Sequence, residues 1–71
     1  MRFYFDLAGE GRVTDPHGED CATVEVARAL ADRIARELAR NRKSGDVAGK
    51  SVIVRDETGQ DVYRARVSKA P

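Results

Sequence analysis

The chain has 71 residues, of which 41% are apolar, 35% charged and 6% aromatic, and its net charge is +1. That length holds one domain, residues 1–71, with a thin core between two layers; it excludes a second domain or a deep substrate cavity. No apolar run approaches the roughly 20 residues that span a bilayer, and the opening Met1–Asp6 lacks the apolar stretch and small-residue cleavage site of a secretory signal. A cytoplasmic protein with no membrane partner is expected. Cys21 is the only thiol, which excludes an intramolecular disulfide and a zinc site built of several cysteines.

The +1 conceals an uneven distribution: residues 1–23 carry −3, residues 24–43 carry +3, and the remainder carries +1. Arg2-Phe3-Tyr4-Phe5-Asp6-Leu7 alternates as a strand, with Phe3, Phe5 and Leu7 on one face and Tyr4 and Asp6 on the other. The glycines of Ala8-Gly9-Glu10-Gly11 predict a turn with positive φ, and Arg12-Val13-Thr14 returns as a short second strand. Asp15-Pro16-His17-Gly18 has the residue preferences of a type I turn.

Thr23 is the expected N-cap of a long helix, with Glu25 suiting the positive end of its first turn. Ala27, Leu30, Ala31, Ile34, Ala35 and Leu38 recur at helical spacing and form one narrow apolar stripe. Arg28–Asp32, Asp32–Arg36 and Arg33–Glu37 are set four apart on the opposite side. Arg40, Arg42 and Lys43 complement the negative end, and Ser44-Gly45 is the expected stop. Ser51–Arg55 is a β-branched strand, Asp56-Glu57-Thr58-Gly59 a second Asp-x-x-Gly turn, and Asp61–Val67 the return strand, which sets Arg64 and Arg66 opposite Tyr63, Ala65 and Val67. Residues 68–71 read as a frayed tail.

Two hairpins and one helix with a one-sided stripe predict an α+β fold, strand–strand–helix–strand–strand, with the helix covering one face of a four-stranded, mainly antiparallel sheet. Chain direction favours the order 2-1-3-4, with 1-2-3-4 as the alternative. The helix, about 30 Å long if it runs for about 20 residues, overhangs the sheet at its basic end. The reverse face is expected to be bare, and such a face with two edge strands invites a homodimer.

The whole-chain pattern resembles a family of short uncharacterised bacterial proteins, common in rhizobia and their relatives, classed as domain-of-unknown-function family 6894. The resemblance is carried by Arg2-Phe3-Tyr4-Phe5-Asp6-Leu7, by Asp15-x-x-Gly18, by the helix opening Thr23-Val24-Glu25-Val26-Ala27, and by Val52–Gly59 with its return strand. It implies a compact α+β fold and no established activity. Family members often carry His at the position of Asp6.

The residues with chemical potential each have an ordinary structural explanation. His17 and Cys21, with Asp15, are the sequence's nearest approach to a hydrolase constellation, but His17 suits an exposed turn and Cys21 a small apolar filler. Asp15, Glu19 and Asp20 could supply oxygen ligands to a hard cation, yet their spacing is not that of an EF-hand and turn formation accounts for them. Gly9-x-Gly11 lacks the strand–loop–helix context of a nucleotide loop. No catalytic, cofactor-binding or metal-ligating residue is assigned. The one candidate binding surface is basic: Arg36, Arg40, Arg42 and Lys43 at the helix end, with Arg64 and Arg66 on the last strand. The leading expectation is a noncatalytic module that needs no cofactor and works through protein–protein contact, as a homodimer or with an unidentified protein partner. Nucleic-acid binding through the basic helix end is the alternative, and a small hydrolase or metal-dependent enzyme comes last.

Overall fold

The structure, a computed structural model, describes residues 1–40 and 49–67. Alternating side chains make Arg2–Ala8 the first strand, β1, and they bury Phe3 against the core. Arg12–Val13 (β2) and Glu19–Asp20 (β3) follow, then the helix Val24–Arg40 (α1), and then the β-branched strand Ser51–Arg55 (β4) and its return Asp61–Arg66 (β5). Thr23 caps the helix, its Oγ1 accepting the Val26 N–H at 3.2 Å.

The fold is α+β: one helix and an antiparallel sheet of five strands. The four strands that the sequence predicts must be corrected to five. The path runs β2-β1-β4-β5, and β3 pairs with β1 off that path, Phe3 facing Glu19. Two exposed acids carry no strand signal, so β3 is invisible to periodicity and the predicted order lacks it. The alternative that sets the second and third predicted strands side by side fails, because β4 pairs with β1 from Tyr4–Arg55 to Ala8–Ser51.

The helix lies against β4 and β5. Ala27, Ala31 and Ala35 are its buried residues, and their small side chains let the backbone approach the sheet, while Leu30, Ile34 and Leu38 pack half-buried beside them. Facing them are Val52 and Val54 of β4, Ala65 of β5, and Val67 just beyond it. Of the three predicted helix ion pairs, Arg33–Glu37 closes at 3.2 Å. Asp32 instead accepts the Tyr63 hydroxyl at 2.7 Å, which ties the helix to β5, and Arg28 stands 5.6 Å over the same ring.

Two further expectations change. Gly9 and Gly11 take no positive φ; the tight turn closes through the Gly9 N–H and the Gly11 carbonyl, and the left-handed glycines are Gly18, Gly49 and Gly59. Nor is the reverse face of the sheet bare. Ile53 is 3% exposed and Asp6 fully buried there, and among the described residues no second layer of secondary structure lies above them. The predicted helix stop at Ser44-Gly45 and the tail 68–71 lie outside the described residues.

Candidate functional site

A carboxylate on an otherwise apolar strand must be satisfied or it unfolds the strand. Asp6 lies on the reverse face between Tyr4 and Ala8, and two arginines meet it. Arg12, at the start of β2, donates to Oδ2 through Nε at 3.1 Å and Nη2 at 2.9 Å. Arg55, at the end of β4, donates through Nε to Oδ2 at 3.0 Å and through Nη2 to Oδ1 at 3.4 Å. The Asp15 N–H completes the set on Oδ1 at 2.9 Å.

Arg12 also reaches Asp61 across the sheet at 2.7 and 3.1 Å. That contact depends on an irregularity in β5. The register shifts between Val54, which faces Tyr63, and Arg55, which faces Asp61; Val62 is the extra residue. The bulge brings Asp61 to the reverse face, opposite Arg55, whose guanidinium lies 4.6 Å over the Tyr4 ring. Asp6 thereby links β1, β2, β4, the 15–18 turn and, through Arg12, β5.

The electrostatics of this cluster are those of structure. Burial pushes the Asp6 carboxyl up, but hydrogen bonds from Arg55, Asp15 and Arg12 outweigh it and bring the value down to about 2. Asp6 is an anion throughout the physiological range and cannot exchange protons near neutrality. Hydrogen bonds to Asp61 and Asp6 raise Arg12, and a hydrogen bond to Asp6 raises Arg55. Sequence reasoning missed this cluster; the available signal was one acid on an apolar strand, with arginines at the ends of two others.

The two edges of the sheet differ. In β1, Phe3, Phe5 and Leu7 direct their backbone groups away from β4. Phe3 meets Glu19 of β3, Leu7 meets Val13 of β2, and between them the Phe5 N–H donates to the Asp15 carboxylate at 3.2 Å. Gly18 lets the turn close over the strand: a Cβ there would lie 2.8 Å from the Phe3 carbonyl oxygen and 2.9 Å from the Tyr4 ring. That side of β1 is covered by the short strands and the turn between them.

At the other edge, β5 is paired on one side only among the described residues. The Val67 N–H donates to the Lys50 carbonyl, and the same register places Ala65 opposite Val52 and Tyr63 opposite Val54. Antiparallel pairing alternates, so Arg64 and Arg66 point their N–H and C=O groups outward. Their side chains are exposed on the reverse face, and among the described residues neither has a carboxylate within 4.0 Å.

The sequence candidates fall in several places. Arg36 and Arg40 are exposed on the helix, on the other side of the sheet from Arg64 and Arg66, while Arg42 and Lys43 lie outside the described residues. The structure therefore does not gather the described arginines on one face. His17 is exposed in its turn, whereas Cys21 is buried in the core, where desolvation pushes its thiol up. Asp15 serves Phe5 and His17 N–H groups, and Asp20 lies 3.3 Å from the N-terminal ammonium. Among the described residues no group of three or more His, Cys, Asp or Glu could hold a metal ion, and no helix is long and apolar enough to cross a membrane.

With strand, turn, helix and hairpin in place, the family model Domain of unknown function (DUF6894) matches residues 2–68. The chain belongs to this family. It matches no curated protein and no solved structure.

Proposed function

We propose that this domain is a noncatalytic module that meets another protein chain along the outer edge of β5. The observation that carries the reading is a six-residue strand paired on one side only among the described residues, in a sheet whose other edge is made of two strands of two residues each. Unpaired strand groups are a ready template for another chain. The noncatalytic half is supported by where the reactive side chains lie: Cys21 in the core, His17 in solvent, and Asp6 fixed as an anion between two guanidinium groups.

A homodimer is the form of this contact that the chain can build alone. Sedimentation equilibrium on the 7.8 kDa chain, with amide exchange measured on the same sample, tests the reading. A dimer that grows with concentration supports the homodimer, provided that Arg64→Pro abolishes it. That variant removes an outward N–H and leaves the pairing with β4 intact. Protected Arg64 and Arg66 amides in a chain that sediments as a monomer would overturn the reading, since the edge would then be covered from within.

A further inference from the structure

We infer that the β5 edge takes an extended acidic segment of another protein, added as one more antiparallel strand with carboxylates two residues apart opposite Arg64 and Arg66. The inference rests on the proposed role of that edge and specifies its partner. Strand addition joins backbone to backbone, so affinity comes from the outward groups of Arg64 and Arg66 and specificity from the side chains beside them. In an antiparallel pair, residues directly opposite each other share a face. A residue that exchanges hydrogen bonds with Arg64 therefore sets its side chain beside the Arg64 guanidinium on the reverse face, and the residue two positions before it in the incoming strand does the same at Arg66.

Those two guanidinium groups have no carboxylate within ion-pair distance among the described residues, whereas Arg12 and Arg55 on the same face are both bound to Asp6. The face already shows what satisfies an arginine there. An incoming strand with acids at alternate positions repeats that solution twice.

A second copy of the chain is a poorer occupant. Two-fold pairings of β5 with itself centred on Arg64, Ala65 or Arg66 all place arginine opposite arginine, and like charges directly opposite are destabilising. Moving the centre back to Tyr63 brings Arg64 against the bulged Val62, which packs on the helix side. Phosphate would also attract arginines, but a nucleic-acid backbone cannot supply the paired N–H and C=O ladder that the outward groups of Arg64 and Arg66 require.

The test uses the full chain and a blocked peptide in which Glu alternates with Val, beside two counterparts in which Lys or Thr replaces Glu. The Glu peptide is expected to bind, to protect the Arg64 and Arg66 amides from exchange, and to weaken as salt rises. Arg64→Glu combined with Arg66→Glu should weaken it at least roughly tenfold, through loss of two attractive pairs and gain of two repulsive ones, while binding of the Lys peptide improves. Equal binding of Thr and Glu peptides at the edge would overturn the acidic specificity and leave the edge reading standing. If no peptide protects those amides, both fail. Preference for a single-stranded oligonucleotide over the Glu peptide, or undiminished binding of a Glu peptide N-methylated at its Glu residues, also overturns strand addition.

Discussion

The two edges of this sheet face the same physical problem and meet it differently. At β1 the outward groups of Phe3 and Leu7 are taken by two short strands and the Phe5 N–H by the carboxylate between them, so an irregular stretch does much of the work of a full strand. At β5 the corresponding groups of Arg64 and Arg66 face outward, and among the described residues their protection is a bulge and charge. Bulges and arginines discourage indiscriminate pairing without filling the hydrogen bonds. An edge of the first kind is part of the fold, and an edge of the second kind is free to be used. The following experiments break the first or sharpen the second.

The largest effect is expected from Asp6→Ala. It leaves two guanidinium groups and the Asp15 N–H without their common acceptor. Removing one member of a buried ion pair costs roughly 3–5 kcal/mol. Arg55 and Arg12 keep 24% and 35% of their side chains exposed and can rehydrate, so about 3 kcal/mol is expected, measured by urea unfolding. The same group dictates the acid limb. Its value falls from 3.8 unfolded to about 2 folded. A depressed carboxyl contributes its stability above the unfolded value and loses it as pH falls through the folded one. That contribution, about 2 kcal/mol at neutrality, should therefore persist down to about pH 4 and fade towards pH 2. Asp6→Asn should flatten this part of the profile, and an unchanged acid limb would show that Asp6 does not control it.

Next comes the contrast between two Asp-x-x-Gly turns. Asp56 accepts the Thr58 and Gln60 N–H groups within its own turn, and nothing lies within 4 Å of a Cβ built on Gly59. Gly18 has φ +74° and is pressed against Phe3 and Tyr4; Gly59 has φ +89° in open space. Gly59→Ala should cost the conformational penalty alone, about 1 kcal/mol, and Gly18→Ala about 2–3 kcal/mol because the turn must also lift from β1. Equal losses would mean that the 15–18 turn is not seated on the strand.

This contrast also shows where sequence reasoning reaches its limit. Both turns were readable from Asp and Gly spacing, because turn chemistry is local. The helix, its Thr23 cap and the alternation of β1 and β5 were readable for the same reason: their periods belong to single segments. What distinguishes the turns is not local. Asp15 reaches Phe5, ten residues away, and Asp6 gathers an arginine from each of two other strands. Alternation assigns Asp6 to the face of Tyr4, and it leaves that face looking empty because the side chains that fill it come from Arg12 and Arg55. The β5 edge was half legible: the order 2-1-3-4 already sets that strand at an edge, but Arg64 and Arg66 read as charge, and only the register reveals that their own N–H and C=O groups point outward.

Asp15→Ala isolates one of these long-range links. It removes the acceptor of the Phe5 and His17 N–H groups while the Asp15 backbone still donates to Asp6. About 1–2 kcal/mol should be lost. The more specific readout is amide exchange: Phe5, protected in the unaltered chain, should come to exchange as freely as Arg64. If Phe5 stays protected, something other than the carboxylate covers that edge.

The smallest effect is expected at β5. Arg64→Ala removes an exposed side chain that has no ion-pair partner among the described residues and leaves the pairing of Tyr63 and Ala65 with β4 untouched. Surface changes of this kind barely move stability, so the unfolding midpoint should stay in place. A residue with almost no part in the fold and a large part in binding an acidic strand is what an open edge requires. A clear loss of stability would mean that Arg64 is already engaged within the chain, and β5 would then resemble β1 more than it differs from it.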